Sequence, residues 1–123
     1  MLIYKQRTGQ LYRGDTLLTT GYSGAPPSKN DPNAQHISNV GPIPQGAWWI
    51  GEMRDSPDHG PIVLPLIAVT GTETFGRSAF LMHGDSIASP GNASHGCIIV
   101  GRPIRESIAD KGDKLLLVIS GAV

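Results

Sequence analysis

The one cysteine in the chain, Cys97, closes the string Ser94-His95-Gly96-Cys97, and His83-Gly84-Asp85-Ser86 stands a short distance upstream. A thiol attacks carbonyl carbon as its thiolate, yet near neutrality it is mostly protonated. An imidazole beside it removes that obstacle, either by taking the proton or by holding an ion pair. His83 and His95 each precede a glycine, and Gly84 and Gly96 let the backbone approach a substrate closely or aim N–H groups at a developing oxyanion. Cys97 is therefore the candidate nucleophile, His83 its candidate base and His95 a second candidate for that role. The competing reading is a packing residue, because a lone cysteine before an apolar run such as Ile98-Ile99-Val100 is usually a small buried hydrophobe. A core strand has no use for serine, histidine and glycine directly before its buried thiol, which favours the chemical reading.

These side chains need strands to carry them. Leu2 to Gln6, Gln10 to Arg13 and Thr16 to Tyr22 read as three short strands separated by turns at Arg7-Thr8-Gly9 and Gly14-Asp15, a meander of tight hairpins. Ser23 to Pro44 is rich in breakers and reads as one long loop, a length that in small domains often serves as a lid or binding wall. Trp48-Trp49-Ile50 resumes a strand, Asp55 to Pro61 is a turn, and Ile62 to Thr70 is an apolar strand. Ser78 to Met82 is a strand leading into His83, so a connecting loop can return Cys97 to that histidine. One helix is expected from Pro103, with Ile104 and Ile108 on one face and Gly112 as its end. Lys114 to Ile119 reads as a buried central strand. Trp48 and Trp49 point to opposite faces, one into the core and one toward a cleft; Trp48 and, in the loop after His83, Asp85 are candidates for substrate contact. His36 and His59 fall in breaker-rich loops and are expected to be exposed.

The expected fold class is mostly β: a sandwich or barrel of short antiparallel strands, one helix after the cysteine, and one domain over residues 1–123. The 16 glycines and 10 prolines, without a period, fit many turns between short strands. Ten basic and ten acidic residues leave no net field to draw nucleic acid or an anionic membrane surface. One cysteine excludes an intrachain disulfide and any multi-cysteine metal site. A zinc site from His83, His95, Cys97 and Asp85 matches no metal-ligand spacing, so neither metal nor cofactor is expected. Met1 to Gln6 lacks the basic-then-apolar pattern of a signal peptide, and no apolar run reaches membrane-spanning length. Synthesis in the cytoplasm without membrane insertion is the expectation.

Ser94-His95-Gly96-Cys97 with His83-Gly84 resembles the signature of the YkuD-type L,D-transpeptidases. Gly21-Tyr22-Ser23-Gly24 resembles the end of that family's opening strands, and Gly41-Pro42-Ile43-Pro44-Gln45-Gly46-Ala47-Trp48 its proline-glycine-aromatic segment. The resemblance implies Cys97 as nucleophile and His83 as general base, oriented by the Gly84 carbonyl or Asp85. It implies that Ser94, His95 and Gly96 shape the nucleophile turn, with N–H groups near Gly96 and Cys97 as oxyanion hole. Ile99 stands where many members carry arginine or asparagine, which leaves the substrate carboxylate to Arg102 or Arg77. The stretch between His83 and Ser94 is shorter than the family's usual spacing. The small size and missing signal peptide look closer to the L,D-transpeptidase-like toxins injected through type VI secretion. That branch implies action on peptidoglycan stem peptides in the periplasm of a target cell, a dedicated immunity protein and a secretion-system partner. Two other readings stay open: a catalytically silent peptidoglycan-binding module, and a structural secretion component whose cysteine only packs.

Overall fold

Leu2 and Tyr4 near one end of the chain, and Leu116 and Val118 near the other, are fully or almost fully buried, while the residues alternating with them are not. Period-two burial of this kind is what a sheet with one covered face requires. In the computed structural model, which describes residues 1–121, these residues lie side by side. Strand β1 (Leu2–Lys5) pairs in parallel with β10 (Leu115–Ile119), with Leu2 opposite Leu116 and Tyr4 opposite Val118.

The other strands are β2 (Gln10–Arg13), β3 (Thr16–Thr20), β4 (Tyr22–Ser23), β5 (Gly46–Ile50), β6 (Arg54–Ser56), β7 (Gly60–Ala68), β8 (Phe80–His83) and β9 (Ile98–Ile99). They form one sheet in the order β3-β2-β1-β10-β5-β7-β8-β9-β4, with β6 paired to β7. Trp48 lies opposite Leu116, Ile50 opposite Leu66, Leu66 opposite Phe80 and Met82 opposite Ile98. Register partners share a face, so these buried side chains make one continuous inner layer around the sheet. The fold is mostly β and nearly closed, like a barrel.

The closure is visible in the chain itself. β3 and β4 stand at opposite ends of the strand order yet are joined through Gly21 alone. The expected strand Thr16 to Tyr22 is thus two strands, since Gly21 carries the chain from one edge of the sheet to the other. Its N–H donates to the Gly9 carbonyl at 2.8 Å, and a Cβ on it would lie 2.0 Å from the Ile99 carbonyl oxygen. No side chain fits there.

The β1-β2-β3 meander is antiparallel as its turns led one to expect. The parallel pairs β1–β10 and β8–β9 depart from an all-antiparallel sheet; both join strands with long intervening segments, as parallel pairing demands. A short strand, β6, runs into the start of the expected turn Asp55 to Pro61 because Arg54 and Ser56 find partners on β7. The long loop holds a single 3-10 turn, Pro32–Ala34, started by Asp31. Helix α1 (Arg102–Lys111) has Pro103 in its first turn and Gly112 at its end with φ 67°. Fully buried Ile108 and partly buried Ile104 pack it against the core. No helix among the described residues is long and apolar enough to cross a membrane.

Candidate active site

Met82 and Ile98 face the core as register partners on the parallel strands β8 and β9. Side chains alternate along a strand, so His83 and Ile99 turn to the other face together, as do Leu81 and, one residue before β9, Cys97. The histidine and the cysteine therefore emerge on the same side of two hydrogen-bonded strands, offset diagonally. Both line one cavity of about 420 Å³, together with His95, Gly96, Arg77 and Phe80.

His83 is 3 % exposed. Its Nδ1 donates to the Gly84 carbonyl at 2.8 Å, which leaves the lone pair on Nε2, and that buried nitrogen has no hydrogen-bond partner among the described residues. Burial, with Ile99 beside the ring, pushes the His83 pKa below the usual histidine value; nearby His59 and Arg105 push the same way, against the Gly84 carbonyl and Asp85. A neutral, fixed, unsatisfied imidazole is what a proton acceptor needs. Cys97 is half-buried. Burial raises its pKa, opposed by the Leu81 N–H, which donates to Sγ at 3.3 Å, and by the Arg77 charge. The pair accordingly rests as neutral thiol and neutral imidazole.

Buried Ser94 and Ser23 build the turn before the thiol. Ser94 Oγ accepts from the Gly24 N–H at 2.8 Å and the Gly96 N–H at 3.1 Å, and donates to the Cys97 carbonyl at 2.6 Å. Ser23 Oγ donates to the Gly96 carbonyl and accepts from the Ile43 N–H, each at 2.9 Å. Between them Gly96 holds φ 136°, and a Cβ there would lie 2.5 Å from Arg77 Nη2. The Gly96 N–H is thus committed to Ser94, which removes it from the expected oxyanion hole. His95 is exposed on the cavity wall with Nδ1 donating to the Asn39 carbonyl at 3.0 Å.

Three expected substrate contacts lie elsewhere. Trp48 is 1 % exposed in the core, its Nε1–H donating to the Pro44 carbonyl and its ring edge-on to Phe80; Trp49 is the outward member of the pair. Trp48 supports the cavity only from behind, through Phe80. Arg102 opens α1 and pairs with Glu106 on the exposed helix surface, away from the cavity lining. Asp85 orders its own loop: its carboxylate accepts from the Tyr22 hydroxyl at 2.6 Å and from the Ser86 and Gly91 N–H groups. Although burial opposes it, those bonds hold Asp85 below the usual carboxylate range. The imidazole is oriented by the Gly84 carbonyl, not by Asp85. Arg77 does line the cavity, but its guanidinium is engaged by the carbonyls of Gln35, Pro42, Gly41 and His95. It is the strut of the turn before Cys97. No group of three His, Cys, Asp or Glu side chains among the described residues is arranged to hold a metal ion.

Sequence reasoning passed over three residues. His59 is exposed, as expected, yet lines the same cavity with its ring centroid 4.6 Å from that of His83. Arg105, buried in α1, donates to the carbonyls of Val100, Pro61 and Ile62, and Ser23 secures the Gly96 carbonyl. None leaves a local sequence signal except Ser23, which sits in the Ser-Gly pair after the opening strands.

Fold and site together define a small, nearly closed β-sheet domain with a buried histidine at the end of one strand and a cysteine just ahead of its parallel neighbour. The model of the Tlde1 domain matches residues 18–116, and the chain belongs to this family of type VI secretion effectors. The match starts within β3, so β1 and β2 lie outside it while sharing its sheet. No curated protein matches. Among solved structures the chain is similar to that of Bdellovibrio bacteriovorus Bd1075, with a TM-score of 0.60 at 14% identity. The likeness covers 98% of this chain and 47% of that one, so the chain spans about half of its length; it concerns the fold alone.

Proposed function

We propose that this domain is a cysteine acyltransferase, an L,D-transpeptidase or L,D-carboxypeptidase acting on peptidoglycan tetrapeptide stems. The observation that carries the reading is the unpartnered, buried Nε2 of His83 in the wall of the cavity that also holds the Cys97 thiol. The cavity lining adds support: its ionisable side chains are His59, Arg77, His83, His95 and Cys97, with no carboxylate to repel an anionic stem peptide.

The Cys97 sulfur adds to the carbonyl carbon preceding the terminal D-alanine while its proton passes to His83 Nε2. Backbone N–H groups stabilise the tetrahedral oxyanion, a task that falls to the Cys97 N–H once Gly96 is committed to Ser94. Collapse of the intermediate breaks the C–N bond, D-alanine leaves with the proton from His83, and a thioester remains. Water then gives hydrolysis and an amine gives transfer. The reaction draws on no cofactor. Delivery into the periplasm of a competitor and neutralisation by a cognate immunity protein in the producer complete the proposal, in keeping with the effector family.

Digestion of purified tetrapeptide muropeptides, read by mass spectrometry, tests it. Wild type is expected to release D-alanine or to join and exchange stems, and Cys97→Ala and His83→Ala are expected to leave the substrate intact. Unchanged muropeptides with wild type, alongside wall binding retained by Cys97→Ala, would replace the enzyme with a binding module.

A further inference from the structure

The hairpin turn between Ser56 and Gly60 carries His59 over the His83 ring, at 4.6 Å between centroids and with the planes tilted by 51°. The turn is fixed from several sides. Arg105 Nη1 donates to the Pro61 carbonyl at 3.0 Å and to the Ile62 carbonyl at 2.5 Å. Ile62 itself holds φ 57°, a left-handed conformation that costs a β-branched residue free energy and persists only where surrounding bonds enforce it. Its N–H donates to Asp55 Oδ1 at 3.2 Å, and His59 Nδ1 lies 3.3 Å from Ser56 Oγ. A strained, clamped turn thus presents one exposed imidazole to one buried imidazole at the wall of the reactive cavity.

We infer that His59 is a positioning residue for His83, covering the base on its solvent side and excluding water from the ring. The inference rests on the reading of His83 as the base and adds a partner to it. Arg105 from α1 and Asp85 from the following loop also bear on His83, and Cys97, Arg77 and His95 share its cavity lining. Arg105 opposes protonation of the ring and Asp85 favours it, so His59 acts on top of a field that already exists. Removing it hydrates His83, and water at the ring favours its protonated form.

The test is a ring-nitrogen NMR titration of His83 in the full chain as wild type, His59→Ala and His59→Phe, with turnover of tetrapeptide muropeptides followed over the same pH range. His59→Ala is expected to raise the His83 midpoint and to move the acid limb of kcat/KM upward with it. His59→Phe retains an aromatic cover over the ring, and a smaller rise is expected. A His83 midpoint unmoved in His59→Ala overturns the inference, even if muropeptides are processed normally. A raised midpoint in a protein that processes no muropeptide upholds His59 as positioning residue and sinks the substrate reading instead.

Discussion

At the residue scale, the chemistry depends on where one proton rests. The Gly84 carbonyl takes the Nδ1 proton of His83 and so places the lone pair on Nε2. Burial holds that imidazole below the ordinary histidine range and holds the Cys97 thiol above its own. In the proposed reaction the proton therefore moves during attack rather than before it, and His83 must be neutral for attack to begin. The sign of the pH dependence follows. The proposed activity is expected above the folded-state pKa of His83 and is expected to be lost as the pH falls through it, at a value below the roughly 6.5 of a free histidine. A pH profile of kcat/KM on a tetrapeptide donor checks this, with an acid limb at or above that value counting against it. The sequence made Cys97, His83 and His95 legible because thiol, imidazole and glycine at close spacing have few other uses. It ranked His83 ahead of His95 without the feature that separates them, which is burial: His83 ends a covered strand, and His95 sits exposed against the Asn39 carbonyl.

At the scale of elements, the site is a junction of β8, β9 and β4, held by two serine hydroxyls. Ser94→Ala would leave the buried Gly24 and Gly96 N–H groups without their acceptor. A buried donor left unsatisfied costs about 1–3 kcal/mol, so urea denaturation is expected to show a loss of at least that size. The rate of Cys97 alkylation in the folded protein is expected to change as well, because the same hydroxyl holds the Cys97 carbonyl. An unaltered rate would mean that the turn holds its shape without Ser94. The motif announced that Ser94 shapes the turn, but not how. Helix α1 was legible from Pro103, Ile104, Ile108 and Gly112, all local signals. The roles of Arg77 and Arg105 were not, because each is defined by carbonyls far away in the chain, such as Pro42 for Arg77 and Pro61 for Arg105. Trp48 and Trp49 show the limit of alternation: it separates two faces without saying which is inside.

At the scale of the whole molecule, the sheet closes where its two edge strands follow one another in the chain. Gly21 makes that passage against the Ile99 carbonyl, on the strand that follows Cys97. Gly21→Ala would force a Cβ into that oxygen, and it is expected to lower the melting temperature steeply and to prevent soluble expression in the worst case. A melting temperature within a degree or two of wild type would show that the passage has slack. Fold class was readable from many short apolar runs between turn residues. The parallel partnership of β1 with β10 was not, because strand neighbours distant in sequence leave no mark on either strand. The same holds for His59 and His83, which meet only because β6 and β7 fold back as a hairpin beside β8.

The most direct test of the central claim is intact-protein mass spectrometry after brief incubation with a tetrapeptide donor. Wild type is expected to gain the mass of the donor less D-alanine, on Cys97 and reversible by a competing thiol, while Cys97→Ala gains nothing and His83→Ala acylates far more slowly. An adduct that forms equally on Cys97→Ala, or donor turnover without any acylation of Cys97, would contradict a thioester at this sulfur.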